Sequence, residues 1–409
     1  MTTNPNDCHG SDSERIQAAV NTSARTGGKA VIPARIPDGT ADRDYWLLDR
    51  AILLPANTTL VLDNCRLKLS DNSRDNLIRS ANCGVGISEI RTLHNIQIIG
   101  VGTAVLEGAD NPRATGDAEK TLATDIVKIP GSPSTPVSYG TDAGKAGEKQ
   151  TSDWRSIGVL LAHVENFTLQ NLTLKDAHSW AVSLEHCAFG KIRDLDFSAD
   201  GARLISGRFQ TFLNQDGLDL RQGCHDITID GITGHSGDDL VALTAIACPG
   251  MCAGELHSHM VSGLEPQGAR DDIHDIVIRN VRGSAGGHHL VRFLNASGIK
   301  LYRITLDGVI DTAPGKFLDN ALVRIGDNNP AWGGVTPLGD TAGLIINNVQ
   351  GRTRTSIAIH GSLCDSVISN VINYNPQTEP VVFASGTQHV RNVTVANAVT
   401  VRSCESASA

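Results

Sequence analysis

The sequence predicts an all-β fold, a right-handed parallel β-helix with an N-terminal capping helix. A phrase of short apolar strands separated by polar or glycine turn residues recurs through the second half of the chain. Its last three copies begin at Gly343, Ser366 and Val390, 23 and 24 residues apart. A period in the low twenties with three short strands per repeat is typical of this fold. The 41 glycines agree with a chain that turns often.

The length of the chain also fits a repeat fold. At 409 residues it exceeds a typical globular domain, and two or three domains would be the ordinary expectation. Solenoids escape that limit because they grow along one axis. We therefore predict a single domain over residues 1–409. Leucine-rich repeats share the period, but the fixed Leu-x-x-Leu-x-Leu frame that they need is absent.

The N-terminal segment, residues 10–33, is predicted to cap the β-helix. Ser11 and Glu14 have the spacing of a capping box. The apolar residues that follow share one helical face, and they are Ile16, Ala19 and Val20. A pair of glycines ends the helix, and a strand follows at 30–33. A helix before the first coil covers the edge strand that a solenoid leaves open.

Two stretches interrupt the repeat. Residues 109–155 are rich in Gly, Ser, Thr, Asp and Lys with little periodicity, so we predict a long loop excursion. Residues 247–272 leave directly from the strand after Asp238 and Asp239, and we predict that they wall one end of a cleft. This insertion contains Cys248, Cys252, His257 and His259. Their spacing is loose for zinc, which favours a disulfide or a plain loop, and we predict no metal.

Aligning the third strand of each repeat collects polar residues of several coils in one row. Asp216 and Asp238 are 22 residues apart, and Asp239 follows directly. With a coil of that length the three carboxylates would lie side by side. Grouped carboxylates are what acid/base cleavage of a glycosidic bond requires. The same row contains an aromatic side chain, a histidine and two arginines, namely Trp180, His288, Arg292 and Arg324.

Each residue of this row also has a plain structural explanation. Asp followed by Gly is a common turn dipeptide, and Asp238 with Asp239 alone could form a solvated turn. His288 alone could be a loop histidine, and Asp219 could belong to a polar ladder between coils. Together these residues favour a functional cleft, because crowded carboxylates are costly unless they are used.

Composition bears on partners and compartment. The net charge of -9, from 35 basic and 44 acidic residues, argues against broad binding of nucleic acid or anionic membranes. No run approaches the ~20 apolar residues of a membrane helix. The N-terminus lacks the apolar core of a signal peptide, so we expect a cytoplasmic protein or a secreted one with its leader removed. Nine cysteines permit disulfides but leave at least one thiol free or paired with another chain.

The residues of this row resemble glycoside hydrolase family 28, the polygalacturonases and rhamnogalacturonases. Asn214-Gln-Asp-Gly-Leu-Asp is similar to that family's Asn-Thr-Asp-Gly-Ile-Asp, and residues 236–239, Ser-Gly-Asp-Asp, are similar to its Gly-Asp-Asp. Residues 287–289, Gly-His-His, are similar to its Gly-His-Gly, and residues 324–326, Arg-Ile-Gly, to its Arg-Ile-Lys. Upstream, residues 175–180 resemble its Asn-Ser-Pro-x-Trp turn. The resemblance covers most of the chain.

The resemblance implies hydrolysis with inversion, without metal or organic cofactor. Asp238 would be the general acid that protonates the glycosidic oxygen, and Asp216 and Asp239 would hold and activate the water. His288 would tune the acid. A like-charge cluster raises the pKa of at least one carboxyl, but which aspartate carries the proton stays open. The residues predicted to bind carbohydrate are Arg324, Arg292, Trp180, His289 and Asn214.

The sequence departs from the family at two positions. The second glycine of Gly-His-Gly is His289, so that turn can take another shape. The lysine of Arg-Ile-Lys is Gly326, which removes a cation expected to meet a galacturonate carboxylate. Arg292 in the adjacent coil could substitute for it or mark a different substrate. We therefore expect either polygalacturonate or a neutral or differently charged glycan.

Several functions are compatible with this fold. We predict a glycosidase, and the alternatives are a polysaccharide lyase, a transglycosidase and a non-catalytic glycan-binding β-helix. In each case the partner is a carbohydrate, with no nucleic acid and no membrane. The sugar, the linkage, endo or exo cleavage and the oligomeric state stay open.

Overall fold

The chain coils into a parallel β-helix, in which each strand hydrogen-bonds to the equivalent strand of the next coil. The computed structural model describes residues 2–36, 43–71, 73, 75–84, 87, 90–111, 154–205, 207–212, 214–246, 268–296, 298–313, 318–330 and 334–402. Within these ranges the strands form two long parallel sheets and one antiparallel pair. The predicted right-handed parallel β-helix with an N-terminal helix is confirmed.

The first sheet contains the longer strands and runs along the whole stack of coils. In spatial order its strands are β1 (Thr2–Thr3), β2 (Lys29–Pro33), β5 (Thr59–Leu69), β7 (Leu93–Glu107), β9 (Val164–Lys175), β11 (Ala188–Ser198), β15 (His225–Ser236), β17 (Ile273–Ala285), β19 (Leu301–Asp311), β21 (Thr341–Gly351), β23 (Leu363–Asn373) and β25 (Val390–Thr400). A further strand, β3 (Trp46–Leu48), pairs with β5.

The second sheet contains shorter strands, one from each coil. In spatial order they are β4 (Ile52–Leu54), β6 (Ile78–Ser80), β8 (Val159–Ala162), β10 (Val182–Glu185), β14 (Leu218–Arg221), β16 (Val241–Ile246), β18 (Val291–Ala296), β20 (Leu318–Ile325), β22 (Thr353–Ile359) and β24 (Val381–Phe383). The antiparallel pair is β12 (Ala202–Ile205) with β13 (Arg208–Thr211).

The long strands of the first sheet bend where one residue adopts a left-handed backbone. From β9 to β25 these bend residues are Asn171, Asp194, Gly231, Asn280, Gly308, Asn348, Asn370 and Asn397. Asn and Asp visit this region several-fold more readily than other side chains, and Gly enters it freely. The polar or glycine residue in the middle of the repeat phrase therefore marks the bend of the strand. Two of the three predicted short strands are the arms of one bent strand, and the third lies in the second sheet.

Helix α1 (Asp12–Thr26) closes the N-terminal end of the stack. The Ser11 hydroxyl accepts the Glu14 N–H at 3.4 Å, and the Glu14 carboxylate accepts the Ser11 N–H at 2.9 Å, which is a complete capping box. Gly27 ends the helix in the left-handed region, with φ of 66°. Ile16 is fully buried, and the helix packs on β2, β3 and β4. The predicted cap therefore covers the first coils.

A column of apolar side chains points into the coil from the second sheet and fixes its register. From β8 to β22 the column contains Val159, Val182, Leu218, Val241, Val291, Val323 and Ile357, all fully buried. Each such side chain contributes about 1.5–3 kcal/mol through burial, and a slip of one residue would turn the column to solvent. The same register fixes the outward row of Ser183, Asp219, Ala242, Arg292 and Arg324.

Short 3-10 helices occur at Pro5–Asp7, Trp154–Ser156, Gly268–Asp271 and Thr387–His389. Most of the predicted excursion at 109–155 and of the predicted cleft wall at 247–272 lies outside the described residues, and so do Cys248, Cys252, His257 and His259. Their roles stay predictions.

The cysteines that the structure describes are free thiols. They are Cys8, Cys65, Cys83, Cys187, Cys224 and Cys364. In the described part of the chain, no helix has both the length and the apolar character needed to cross a membrane.

Candidate active site

The three predicted catalytic carboxylates lie on neighbouring coils, just before β14 and β16. The Gly217 N–H donates to the Asp239 carbonyl at 2.9 Å. The strand register continues this pairing and aligns Asp216 with Asp239. The sequence spacing had aligned Asp216 with Asp238 instead, so the coil is one residue longer than predicted. The three residues nevertheless meet at one end of adjacent strands.

Buried contacts of Gln215 hold the turn that presents Asp216. The Gln215 Nε2 donates to the Ala177 carbonyl at 2.6 Å, and its Oε1 accepts the Gly201 N–H at 2.8 Å. A Cβ on Gly237 would lie 2.4 Å from the same Oε1 and 2.6 Å from the Gly201 Cα. The glycine before the two aspartates is therefore required for the close approach of these turns.

Asp216 is buried, with 7% of its surface exposed. Its Oδ1 and the Oδ2 of Asp219 receive no hydrogen bond from any described donor. Burial raises the pKa of Asp216 well above its ordinary value, and the charges of Asp238, Asp219 and Asp239 raise it further. Both effects favour the protonated form of the Asp216 carboxyl.

Asp219 joins the cluster from inside β14 and accepts a hydrogen bond from Thr244 of the next coil, which agrees with the alternative that it bonds a neighbouring turn. Burial raises the pKa of Asp219, while Arg221, 3.7 Å away, and the Thr244 hydroxyl, which donates at 2.8 Å, act against the rise. The signal for this residue was available in the strand alternation, because Asp219 has the outward parity of Ser183 and Ala242 in the flanking strands.

Asp239 is held by groups of the next coil. Its Oδ1 accepts the His289 N–H at 2.8 Å, and its Oδ2 lies 3.5 Å from Arg292 Nη1. Burial raises the pKa of Asp239 to about 7, although Arg292 opposes the rise. A carboxyl that titrates near neutrality can accept or release a proton during a reaction.

Asp238 and His288 form the solvent-facing side of the cluster. Asp238 Oδ1 lies 2.8 Å from His288 Nδ1 and accepts the Asp239 N–H at 2.9 Å. The hydrogen bond to Asp238 raises the pKa of His288, although burial opposes the rise. The side chains of Asp238 and His288 are 15% and 44% exposed, so a substrate oxygen can reach them.

Asp238, Asp239 and His288 are the residues of this site that could ligate a metal ion. One ligand atom from each of Asp238, Asp239 and His288 lies within 4.8 Å of the others. Two carboxylates and an imidazole are acceptable ligands for several divalent ions. His288 Nδ1 is already engaged with Asp238, which matches an acid/base pair. The absence of a metal stays a prediction.

His289, which replaces a glycine of the family motif, positions Asp239 through its backbone. Burial lowers the pKa of His289 to about 3, so the ring is neutral. Its Nδ1 lies 2.6 Å from the Ala321 carbonyl, and a neutral ring at that position donates Nδ1–H. The residue is 5% exposed. Direct contact with substrate stays a prediction.

Arg292 and Arg324 lie in register on β18 and β20, as the strand alignment predicts. Both donate to Oδ2 of Asp327, at 2.7 and 3.0 Å. Asp327 is 2% exposed, and its Oδ1 accepts the Asn329 N–H at 2.8 Å. Sequence reasoning missed Asp327. Its only signal is its place directly after the Arg-Ile-Gly motif.

Two further predicted substrate contacts occupy packing and turn positions. Trp180 is 5% exposed and packs with Trp154, and the Arg221 guanidinium lies 5.1 Å from its ring centroid. Asn214 has a left-handed backbone with φ of 52°, and its carbonyl accepts the Ser179 hydroxyl at 3.3 Å. Sugar binding by either stays a prediction, and the burial of Trp180 favours packing.

A cleft of about 390 Å³ continues from the cluster toward the C-terminal coils. Its lining includes His289 and Arg324 from the row, with Arg354, His360 and Glu379 from the following coils. Ligand sites typically have volumes of about 300–1,000 Å³. The cleft therefore has the size of a small-ligand site, and it reaches the carboxylates through His289, whose backbone N–H binds Asp239.

No protein-family model matches the chain, and no curated protein matches it. Its structure is similar to that of a polygalacturonase from Erwinia carotovora ssp. carotovora, with a TM-score of 0.51 and 15% identity over 97% of this chain and 95% of that one. At this identity the similarity shows a shared fold.

Two other solved structures align over most of the chain with lower scores. One is the endo-xylogalacturonan hydrolase from Aspergillus tubingensis, with a TM-score of 0.49 and 13% identity over 98% of this chain and 92% of that one. The other is a family 28 exopolygalacturonase from Yersinia enterocolitica, with a TM-score of 0.48 and 14% identity over 98% of this chain and 77% of that one.

Proposed function

We propose that the protein is a glycoside hydrolase that cleaves a glycosidic bond of a poly- or oligosaccharide by general acid/base catalysis. The observation that carries the proposal is the carboxyl cluster itself. Asp216, Asp238 and Asp239 share one edge of two adjacent coils, where burial raises the pKa of Asp216 and of Asp239 while Asp238 stays partly exposed. Neighbouring titratable groups whose pKa values are pushed apart are what paired acid and base roles require. A polygalacturonase shares the fold.

The proton donor is Asp238 together with His288. Asp238 is the most exposed of the three carboxylates, and His288 lies 2.8 Å from it. Because the hydrogen bond to Asp238 raises the pKa of His288, the protonated imidazole is favoured and can supply its proton through Asp238 to the glycosidic oxygen. Loss of the leaving group is assisted when that oxygen is protonated in the transition state.

Asp239 is the base that activates water. Its pKa of about 7 leaves a substantial ionised fraction at neutral pH, and Arg292 and the His289 N–H hold the carboxylate in place. Asp216, whose raised pKa favours the protonated form, orients the water by hydrogen bonding. Attack by this water on the face opposite the leaving group inverts the anomeric carbon, in agreement with the family resemblance.

The test is a digest of a broad glycan panel with detection of new reducing ends. Wild type should release reducing ends from at least one glycan. Asp238→Asn should lower turnover by about 10²–10⁴-fold, the range for loss of a general acid. Asp194→Asn is the matched control, because Asp194 is exposed at a bend where the preceding coil already uses Asn171.

The products separate this function from its alternatives. Unsaturated uronides that absorb in the ultraviolet would identify a lyase, and cyclic or lengthened sugars would identify a transglycosidase. Binding without turnover across the whole panel would identify a glycan-binding β-helix. Near-native turnover by a folded Asp238→Asn variant would exclude the proposed mechanism. Proton NMR of the first-formed anomer then reports whether configuration is inverted.

A further inference from the structure

We propose that Asp327 determines substrate specificity by neutralising the arginine pair of the cleft, so that the site takes an uncharged sugar unit in place of a uronate. The inference rests on the proposed function, since it concerns which glycan the hydrolase accepts. It starts from one contact, in which Arg292 and Arg324 share a single carboxylate oxygen of Asp327.

The arginine pair has the geometry of a carboxylate-binding site. Arg292 and Arg324 are opposite each other on adjacent parallel strands, which are about 4.8 Å apart. Two guanidinium groups at that spacing favour a bridging carboxylate, because charge-assisted hydrogen bonds are stronger than neutral ones. In this chain the bridging carboxylate belongs to Asp327. A sugar carboxylate would have to compete with a group that is already in place.

The turn that delivers Asp327 depends on two glycines in contact. Gly326 has φ of 70°, and a Cβ on it would lie 2.4 Å from the Gly361 Cα. A Cβ on Gly361 would in turn lie 2.7 Å from the Gly326 Cα. Position 326 therefore cannot carry a lysine in this backbone. The absence of a lysine at position 326 and the presence of the Asp327 carboxylate between the two arginines both follow from the conformation of this turn.

Asp327 is held as an anion. It accepts hydrogen bonds from both arginines and from the Asn329 N–H at 2.8 Å. Burial alone would raise the pKa of Asp327, but these donors outweigh burial and lower it. The lowered pKa favours the ionised carboxylate, which offsets one of the two cations.

The other charged groups around the arginine pair are accompanied by groups of opposite charge. Arg292 also faces Asp239 at 3.5 Å. In the adjoining cleft Arg354 is accompanied by Glu379. Burial lowers the pKa of His360, so this ring adds no charge at neutral pH. A uronate would bring an unbalanced negative charge into this site, whereas the hydroxyls of a neutral sugar need only hydrogen-bond donors and acceptors.

The experiment measures binding without hydrolysis, in the Asp238→Asn background. The probes are polygalacturonate and its fully methyl-esterified form, which share a backbone and differ in charge. Affinity electrophoresis at low salt gives the dissociation constant for each probe. The parent variant should bind polygalacturonate no more tightly than the ester. Adding Asp327→Asn should tighten polygalacturonate binding about tenfold or more, because both guanidiniums become available to a sugar carboxylate.

Two controls separate released charge from other changes. The gain should shrink as salt increases, because exposed charges are screened. Adding Arg292→Gln to the Asp327→Asn variant should remove most of the gain for polygalacturonate. Adding Asp327→Asn alone should leave binding of the ester nearly constant. Circular dichroism and thermal melting establish that each variant is folded.

Two results would overturn the inference. One is a folded Asp327→Asn variant whose affinity for polygalacturonate is unchanged. This includes the case in which neither the parent nor the Asp327→Asn variant binds polygalacturonate. The other needs no variant at position 327 and is a wild-type protein that prefers polygalacturonate to neutral glycans in the panel digest. Failure of the proposed function appears elsewhere, as reducing ends that persist in Asp238→Asn, so the two failures are distinguishable.

Discussion

Two aspartates on different sheets of the same coil stack, Asp275 in a surface column and Asp239 in the buried cluster, have carboxyl pKa values shifted in opposite directions. Asp275 lies on the surface of the first sheet, where the Arg303 Nε donates to it at 2.7 Å and the pKa of its carboxyl is lowered. Asp239, before the second sheet, is 3% exposed, and burial raises its pKa to about 7. Both recur at coil spacing beside turns. Exclusion of water is what separates the structural column from the candidate active site.

The surface column also satisfies its own hydrogen bonds. The amide of Asn166 donates to Asn95 at 2.6 Å, and the amide of Asn95 donates to Asn57 at 2.7 Å. The buried cluster instead leaves the facing oxygens of Asp216 and Asp219 without a described donor. Polar groups that are satisfied stabilise a fold, whereas an unsatisfied buried carboxyl is costly. That cost supports a functional role for the buried cluster.

The largest expected difference between the columns is in turnover. Asp239→Asn removes the base and should lower kcat by about 10²–10⁴-fold. Asp275→Asn, the matched substitution in the surface column, should change kcat by less than about twofold, because surface substitutions are usually near neutral. Release of reducing ends from the glycan that wild type cleaves best measures both. Equal losses in the two variants would remove the functional contrast between the columns.

A smaller difference is expected in stability when two left-handed glycines are replaced. Gly326→Ala places a Cβ 2.4 Å from the Gly361 Cα, whereas a Cβ on Gly308 meets nothing closer than 3.5 Å. Both substitutions carry the left-handed strain of about 1–2 kcal/mol. Gly326→Ala adds overpacking, for a total of about 3 kcal/mol or more. Urea unfolding at equilibrium gives both values, and similar losses would show that the Gly326 backbone can relax.

The two aspartates should also differ in how they make stability depend on pH. The folded pKa of Asp239, about 7, is above the ~3.9 of an unfolded aspartate. Its contribution is therefore complete below pH ~4 and is lost as pH rises through about 7, because only the folded state holds the proton in between. Asp275 has a lowered folded pKa, so its contribution is present above pH ~4 and is lost as pH falls.

The measurement is the free energy of unfolding in urea at about pH 4.5 and about pH 7.5, on either side of this window. Asp239→Asn should reduce the decline in stability between those values. Asp275→Asn should leave that decline in place and weaken the loss on further acidification. An Asp239→Asn variant with the wild-type pH dependence would contradict burial as the origin of its raised pKa.

The features that sequence reasoning predicted correctly are those fixed by repetition or by local chemistry. The coil follows from the repeating apolar phrase, and the capping box of Ser11 and Glu14 is formed as its spacing predicts. The position of the acidic cluster could be predicted because coil length brings distant carboxylates together. The register was wrong by one residue, since Asp216 aligns with Asp239. The packing of the inward side chains decides that strand register, and counting residues between the aspartates does not reveal it.

The features that it missed depend on non-local packing. Whether Trp180 offers a face to a sugar depends on what covers it, and Arg221 lies over its ring. The role of Asp327 depends on a turn that folds back beneath two strands, made possible by contact between Gly326 and Gly361. Neither contact has a sequence period, so neither could be predicted from the repeat.

Stacking of the coils lets the protein lengthen without rebuilding its chemistry. The proposed catalytic groups occupy three consecutive coils, from β14 to β18, and the strands on either side continue the same inward column. Duplication of a coil near β22 or β24 would extend the groove by one strand spacing of about 4.8 Å and leave the distances among the carboxylates unchanged. Duplication between β16 and β18 would separate Asp239 from Arg292 and the His289 N–H. We therefore expect duplication of a coil to preserve the arrangement of the carboxylates near β22 or β24 and to disrupt it between β16 and β18.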